Sequence, residues 1–242
     1  MTAWDQSRGL GDRVEKVDDC RIVLGQTPWP FADENKDAIA AYWQNAVRCN
    51  SNFFDGIVLL AAGYRIEGNI LDIEVFETRF RNFLYWRDHG FADAAAIDAF
   101  GSGVIRAADG GVLLVRQHPG NVNEGLFYFP GGFIDRRDVD TSGRIDIAAS
   151  IGREVSEELG IDASELTRET GFLVTRTGPH LSIAAVLASP IDGRELLSRI
   201  SDFLDRESQP EIAEAKLIKR RDDLDGLNLA PYCRPLLGKL LV

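Results

Sequence analysis

The chain has 242 residues, of which 45% are hydrophobic and 27% charged, and this length predicts one large domain or two small ones. Its 38 acidic residues outnumber its 27 basic ones, which gives a formal net charge of −11. Nucleic acid polymers and anionic membranes both require a basic surface, so the charge argues against general binding to either, whereas a small anionic ligand requires a cation between it and the protein.

The sequence carries no sign of export or of membrane insertion. Residues 1–20 are polar and charged, and the longest uncharged apolar run, at 57–62, is far too short to span a membrane. Cys20, Cys49 and Cys233 are widely spaced and form no Cys-x-x-Cys pair, which is typical of free thiols in a reducing compartment. We therefore expect a cytoplasmic protein without disulfides or a zinc site.

The first part of the chain predicts a small unit that mixes helices and strands. In chain order we expect a loose arm at 1–18, a strand at 21–24, an amphipathic helix at 33–47, a hairpin of two strands at 56–64 and 69–76 that continues into 77–85, and an alanine-rich helix at 92–99. The helix at 33–47 follows from Ile39, Trp43 and Val47, which recur on one helical face.

The pattern restarts near residue 98 with a strong hairpin signal. Asp109 and Gly110 form the turn between strands at 103–106 and 112–116. Further on we expect an aromatic stretch at 126–129, helices at 146–159, 192–206 and 232–241, and strands at 171–175, 181–188 and 215–219. Interleaved strands and helices indicate an α+β fold with a mixed sheet, divided into an amino-terminal extension (1–97) and a second domain (98–242).

The helix predicted at 146–159 carries three acidic side chains on one face. Glu154, Glu157 and Glu158 stand at i, i+3 and i+4, so their carboxylates converge and repel one another unless a cation compensates. Carboxylates are hard oxygen ligands, and Mg²⁺ or Mn²⁺ is their natural partner. A solvated acidic face is the alternative interpretation of the helix by itself.

The residues before this helix favour a site of chemistry. Pro130 is followed by Gly131 and Gly132, which allow the backbone to approach a metal or phosphate closely. This Gly-Gly turn, followed by the run Arg-Glu-Val-Ser-Glu-Glu-Leu-Gly-Ile at 153–161, resembles the signature of the Nudix hydrolases. The resemblance implies a Nudix-type α/β/α sandwich with a mixed sheet and Mg²⁺-dependent cleavage of diphosphate linkages in nucleoside diphosphate derivatives.

One spacing departs from the family pattern. The family places its arginine 14 residues after the leading glycine, whereas here the separation is 153 − 132 = 21 residues. The seven additional residues are expected at 138–144. Either Asp138 or Asp146 could replace the first glutamate of the signature, and the sequence does not decide between them.

The resemblance also implies roles for individual residues. Glu157 and Glu158 correspond to the principal metal ligands, and Glu154 to a further ligand or a general base. Arg153 would orient these glutamates, and the Gly132 carbonyl would complete the metal site. Bound metals bridge two phosphate oxygens and activate the attacking water.

Four further residues are candidates for the site, each with an ordinary alternative. Glu211 precedes a late strand, in a region from which family members often present an additional acidic ligand; otherwise it is a solvated loop charge. Arg116 could neutralise a substrate phosphate or be a surface arginine. Phe129 could stack on a base, although core packing suits most rings at 127–129. His180 lies in a Gly-Pro turn near the expected cleft, or is incidental there.

A second, weaker resemblance concerns the substrate. Residues 80–88 (Phe-Arg-Asn-Phe-Leu-Tyr-Trp-Arg-Asp) are similar to a segment of the Nudix branch that hydrolyses UDP-glucose and UDP-galactose. We therefore expect hydrolysis of a nucleotide sugar to NMP and sugar 1-phosphate, with ADP-ribose, a dinucleotide or a coenzyme A derivative as alternatives. A non-catalytic ligand sensor is the competing class, against which the intact glutamate triad argues. The extension could instead be a lid or a dimerisation element, which leaves a homodimer open.

Overall fold

The computed structural model describes residues 13–241. Its twelve strands are β1 (Val14–Val17), β2 (Asp19–Leu24), β3 (Ile57–Glu67), β4 (Ile70–Arg79), β5 (Asp98–Arg106), β6 (Val112–Gln117), β7 (Phe127–Tyr128), β8 (Arg144–Ile145), β9 (Thr167–Arg168), β10 (Phe172–Thr177), β11 (His180–Ala188) and β12 (Ile212–Ile218). Its six α-helices are α1 (Pro30–Glu34), α2 (Lys36–Cys49), α3 (Phe80–Asp88), α4 (Ile147–Leu159), α5 (Gly193–Leu204) and α6 (Cys233–Leu240). The α+β fold expected from the sequence is confirmed.

The larger sheet supports the helix that carries the acidic signature. Its strand order is β1-β10-β11-β5-β6-β12, with β7 on β6 and β9 on β11, and only β5 and β11 run parallel to each other among its pairs. Helix α4 packs on β5 and β11 through the apolar residues Ile151, Val155 and Leu159, all buried. Burial of this apolar stripe fixes the rotation of α4 on the sheet and thereby the positions of its glutamates.

The smaller sheet, of order β3-β4-β2-β8, belongs mainly to the extension. Strands β3 and β4 form the hairpin expected from the sequence. Helices α2 and α3 contact each other, and a separate aromatic core, which includes Trp29, Phe83 and Trp86, lies between the helices and β3–β4. Several pairs of these rings meet edge to face, an arrangement that favours aromatic contacts.

Each sheet takes one strand from across residue 98. Strand β1, near the start of the chain, pairs with β10 of the larger sheet. Strand β8, at the end of the insertion, pairs with β2 of the smaller sheet. The division into units 1–97 and 98–242 remains a prediction.

The hairpin does not continue through 77–85, because β4 ends at Arg79 and residues 80–88 form helix α3. Two further sequence predictions are wrong, and both fail because of long-range pairing. Strand β1 forms within the segment expected to be a loose arm at 1–18, and residues 1–12 lie outside the described residues. The segment 92–99 is no helix, because Ile97 bridges to Ala61 and Asp98 opens β5. Tertiary pairing outweighs the helix propensity of the alanines. The helix expected at 33–47 is divided into α1 and α2.

Free thiols are confirmed at Cys20, Cys49 and Cys233. Burial raises the pKa of Cys20 and of Cys233 to about 12, so both thiols stay protonated near neutral pH. In residues 13–241, no helix is both long enough and apolar enough to cross a membrane.

Candidate active site

A cavity of about 260 Å³ lies where α4, the Pro130–Gly132 turn and the starts of β5 and β11 meet. Its lining contains acidic, basic and aromatic side chains. The acidic side chains in it are Asp98, Asp135, Glu154, Glu158 and Glu211; the basic ones are Arg87, Arg137 and His180; and the aromatic ones are Phe83, Phe100, Phe133 and Tyr232. The acidic members of this lining, here called the acidic wall, share the cavity with four aromatic rings.

The caps of α4 fix where its glutamates point. Asp146 accepts hydrogen bonds from the N–H groups of Ala148 and Ala149, and Gly160 ends the helix with a left-handed φ of 65°. The helix predicted from the sequence is therefore confirmed to within one residue. Its acidic face is held beside the Gly-Gly turn.

Glu158 is the most deeply buried of the three glutamates, at 6% exposure. It accepts hydrogen bonds from the Gly131 N–H at 2.9 Å and from the Tyr128 hydroxyl at 3.1 Å. Burial raises its pKa well above the ordinary value, and the charges of Glu211 and Glu154 raise it further. None of the neighbours that shift the pKa of Glu158 carries a positive charge.

Glu154 lies against the turn itself. A Cβ built on Gly132 would come within 2.5 Å of Glu154 Oε2. Any other residue at position 132 would therefore displace this carboxylate. Burial raises the pKa of Glu154 to about 7, with the charge of Glu157 acting in the same direction and the Arg153 guanidinium opposing both. A carboxyl with such a pKa can accept a proton near neutral pH.

Arg153 connects the acidic residues. Its guanidinium donates to Glu154 at 2.6 Å, to Glu157 at 3.2 Å and to Asp138 at 3.0 Å. Asp138 also accepts from the Ser150 hydroxyl at 3.0 Å. Asp138 is thus the acidic residue of the insertion that meets Arg153, whereas Asp146 is occupied with the helix cap.

Glu211 reaches the same cavity from the start of β12. Its Oε1 accepts from Gln117 Nε2 at 2.8 Å, and burial raises its pKa above the ordinary value. Gln117 Oε1 in turn accepts from the Asn123 N–H at 2.5 Å. The loop at 118–126 is therefore joined to the Glu211 carboxylate through the Gln117 amide, and the His118 N–H donates to the Glu211 carbonyl at 2.8 Å.

The donors at the acidic wall suit a hard divalent cation. Within residues 13–241, no three or more His, Cys, Asp or Glu side chains stand together as a preformed metal cage. Glu154 and Glu157 are instead tied to Arg153. The charge of Glu211 nevertheless raises the pKa of both Glu154 and Glu158, the charge of Glu154 also raises that of Glu158, and cation binding would relieve this repulsion.

The other substrate candidates fall in three different places. His180 lies in the cavity wall. Arg116 lies outside it, because its guanidinium pairs with Glu214 at 2.8 Å on the outer side of β6. Phe129 is only 1% exposed and belongs to the core rather than to the wall. The rings available to a ligand are others, such as Phe133.

Several cavity residues were not anticipated. Phe133 and Arg137 directly follow the Gly-Gly turn, and that adjacency in sequence could have indicated them. Arg87 arrives from α3 and donates to the Val122 carbonyl at 2.9 Å. Asp98 faces His180 only because of the register between β5 and β11, which no local pattern reveals.

Comparison with known proteins places this site in a described family. Residues 99–219, half of the 242, match the family model described as "NUDIX domain". No curated protein matches the chain.

Similar solved structures include three proteins of low sequence identity. A MutT protein from Methanosarcina mazei Go1 is 20% identical, with 60% of this chain and 92% of that chain covered and a TM-score of 0.41. The Nudix hydrolase RenU from M. smegmatis is 19% identical over 59% and 81%, with a TM-score of 0.37. A bifunctional NMN adenylyltransferase/ADP ribose pyrophosphatase from Francisella tularensis is 18% identical over 65% and 44%, with a TM-score of 0.40.

Proposed function

The chain belongs to the Nudix hydrolase family, and from this membership we propose that its cavity hydrolyses the diphosphate linkage of a nucleotide sugar, releasing NMP and sugar 1-phosphate. Nudix hydrolases act on nucleoside diphosphate derivatives. The observation that carries the proposal is the composition of the cavity lining, in which Phe83 and Arg87 of α3 occur together with Glu154 and Glu158 of α4. Helix α3 is the segment whose sequence is similar to the branch that hydrolyses UDP-glucose and UDP-galactose.

The acidic wall would hold the divalent cation. Its proposed ligands are Glu154, Glu158, Glu211 and the carbonyl of Gly132, together with Glu157, which lies outside the cavity lining on the next turn of α4 and is 51% exposed. Bound Mg²⁺ or Mn²⁺ supplies charge neutralisation of the diphosphate and lowers the pKa of the attacking water.

The chain's own residues position the reacting groups. Asp138 holds Arg153, and Arg153 holds Glu154 and Glu157 in a fixed relation, so little reorganisation is needed when the substrate binds. Glu154 serves as a further ligand or as the acceptor of the proton that the attacking water loses.

Aromatic and basic residues of the cavity would hold the substrate. Phe83 and Phe133 meet edge to face with their ring centroids 4.8 Å apart and offer an apolar wall. Arg137, at the rim, is paired with Asp135 and Glu157, and its guanidinium would neutralise the phosphate that departs. Arg137 therefore takes the role that the sequence suggested for Arg116.

Divalent cations are expected to stabilise the free protein. At a concentration of Mg²⁺ or Mn²⁺ about 100 times the Kd, binding to the folded state alone adds about 2.7 kcal/mol, or a rise in Tm of roughly 5–10 °C for a domain of this size. Thermal unfolding of chelator-treated protein, with and without cation, measures this shift. Glu158→Gln should lose at least half of it, and a full shift in that variant would remove Glu158 from the ligand set.

A substrate panel tests the proposed function. UDP-glucose, UDP-galactose, ADP-ribose, a dinucleotide and coenzyme A are incubated with the protein and Mg²⁺, and the products are identified by mass. We expect NMP and sugar 1-phosphate from the nucleotide sugars, at least tenfold faster than turnover of the other substrates, and no turnover with excess chelator. Faster turnover of ADP-ribose, the dinucleotide or coenzyme A would replace the proposed substrate. Binding without products would indicate a sensor.

A further inference from the structure

Gln117, the last residue of β6, joins the acidic wall to the loop at 118–126. Its side chain is buried, at 6% exposure, and lines the cavity. Nε2 donates to Glu211 Oε1 at 2.8 Å, and Oε1 accepts from the Asn123 N–H at 2.5 Å. Because a backbone N–H can only donate, the amide oxygen has to face Asn123, and the NH₂ group therefore has to face the Glu211 carboxylate. Two partners thus fix the orientation of this amide.

Further hydrogen bonds attach the same loop to its surroundings through backbone carbonyls. The His118 N–H donates to the Glu211 carbonyl at 2.8 Å. Asn50, which follows α2, donates from Nδ2 to a carbonyl of the loop at 2.6 Å, and Arg87 of α3 donates to another at 2.9 Å. Since each of these bonds ends on a backbone carbonyl, none of them depends on where the Glu211 carboxylate lies. The bonds of the Gln117 amide do depend on it.

The loop is also part of the cavity. Val122 and Asn123 line it together with Gln117 and Glu211. Glu211 is a proposed ligand of the cation, so a bound cation would fix one position of its carboxylate. A buried amide that loses either partner leaves a polar group unsatisfied, which is unfavourable. The Gln117 amide therefore favours one position of the carboxylate together with one position of the loop.

We propose that Gln117 is a positioning residue that couples cation binding at Glu211 to the placement of the loop at 118–126 in the cavity. The inference rests on the proposed function, since it uses the cation site assigned there, but it is independent of which nucleoside diphosphate derivative is cleaved. Coupling between two sites is reciprocal. A substrate that contacts the loop therefore raises the affinity for the cation by the same factor by which the cation raises the affinity for the substrate.

Hydrogen exchange tests the coupling without a substrate. Amide exchange is followed by mass spectrometry in peptides that cover 118–126 and 147–159, in chelator-treated protein and with saturating Mg²⁺. In the unaltered protein we expect Mg²⁺ to slow exchange at least fivefold in both segments. Gln117→Met keeps the length of the side chain but cannot donate a hydrogen bond. In this variant we expect the effect on 118–126 to fall below twofold, while the effect on 147–159 persists.

The same chemical change at an exposed position is the control. Gln44 is an exposed residue of α2 and lies outside the cavity lining, so Gln44→Met should show both effects in full. A full effect of Mg²⁺ on the loop in folded Gln117→Met would overturn the proposal. The absence of any effect on the loop in the unaltered protein would overturn it too, because cation binding would then not be coupled to the loop.

Glu211→Gln tests the other end of the link and keeps the proposal testable if Gln117→Met fails to fold. A carboxamide at position 211 retains an acceptor for the Gln117 NH₂ group but has no charge to attract the cation. Without cation, we expect loop exchange within twofold of that in the unaltered protein. With Mg²⁺, the effect on the loop should fall below twofold, while 147–159 still responds.

The two proposals fail in different ways. A full loop response in Glu211→Gln would overturn the coupling, since the cation would then act on the loop by another route. If no substrate of the panel is hydrolysed, the proposed function fails, but loss of the loop response in Gln117→Met and in Glu211→Gln still supports the coupling.

Discussion

Glu157→Gln should lower kcat by roughly 10²–10⁴-fold while the protein keeps its fold. The carboxylate is 51% exposed and pairs with the guanidinium groups of Arg153 and Arg137. Exposed ion pairs contribute little to stability, so the change in the free energy of unfolding should stay below about 1 kcal/mol. A metal ligand acts on the transition state with several kcal/mol, and each 1.4 kcal/mol corresponds to about a factor of ten in rate.

The measurement pairs kinetics with thermal unfolding. Saturating nucleotide sugar and Mg²⁺ give kcat, and Tm reports the fold. Glu195→Gln is the matched control, because Glu195 is an exposed glutamate in the first turn of α5, outside the cavity lining. Turnover of Glu157→Gln within threefold of the control would exclude Glu157 as a metal ligand.

Two neighbouring glycines should give opposite results when changed to alanine. Gly131 has a φ of +148°, and a Cβ there would lie 2.2 Å from the carbonyl oxygen of Gly101 in β5. Because both the strain and the clash involve backbone, Gly131→Ala should lower the free energy of unfolding by about 3–5 kcal/mol. Its Tm should fall by roughly 10 °C or more.

Gly132→Ala should instead spare the fold and damage the chemistry. The obstacle to its Cβ is the carboxylate of Glu154, the flexible end of a side chain, which can move away. We expect Tm to change by less than about 3 °C, since surface adjustments are small in energy, and kcat to fall about 10²-fold because a proton acceptor or ligand is displaced. Full activity in Gly132→Ala would contradict the close contact between the turn and Glu154.

Features with a local cause were predictable from the sequence. Helix α4 begins and ends where Asp146 and Gly160 indicate, and its acidic face follows from helical spacing. The convergence of Glu154 and Glu158 at the Gly-Gly turn required only the signature and its resemblance to a known family.

Features with a distant cause were not predictable. Asp138, and not Asp146, accepts a hydrogen bond from Arg153, and this bond spans the insertion. The pairing of Asp98 with His180 depends on a strand register, and the loss of the expected helix at 92–99 on a bridge to Ala61. A one-dimensional pattern carries propensity and period, whereas register is decided by the whole packed sheet.

The exchange of strands between the two sheets has a consequence for how the chain is made. Strand β2 is synthesised long before β8, its antiparallel neighbour. The interval between the synthesis of β1 and that of its partner β10 is longer still. The first hundred residues therefore leave the ribosome with two open strand edges, which other chains can join. Closing contacts so distant in sequence is slow. If the chain is divided near residue 98, β1 is separated from β10 and β2 from β8. We therefore expect that the extension cannot be exchanged between enzymes as an independent unit.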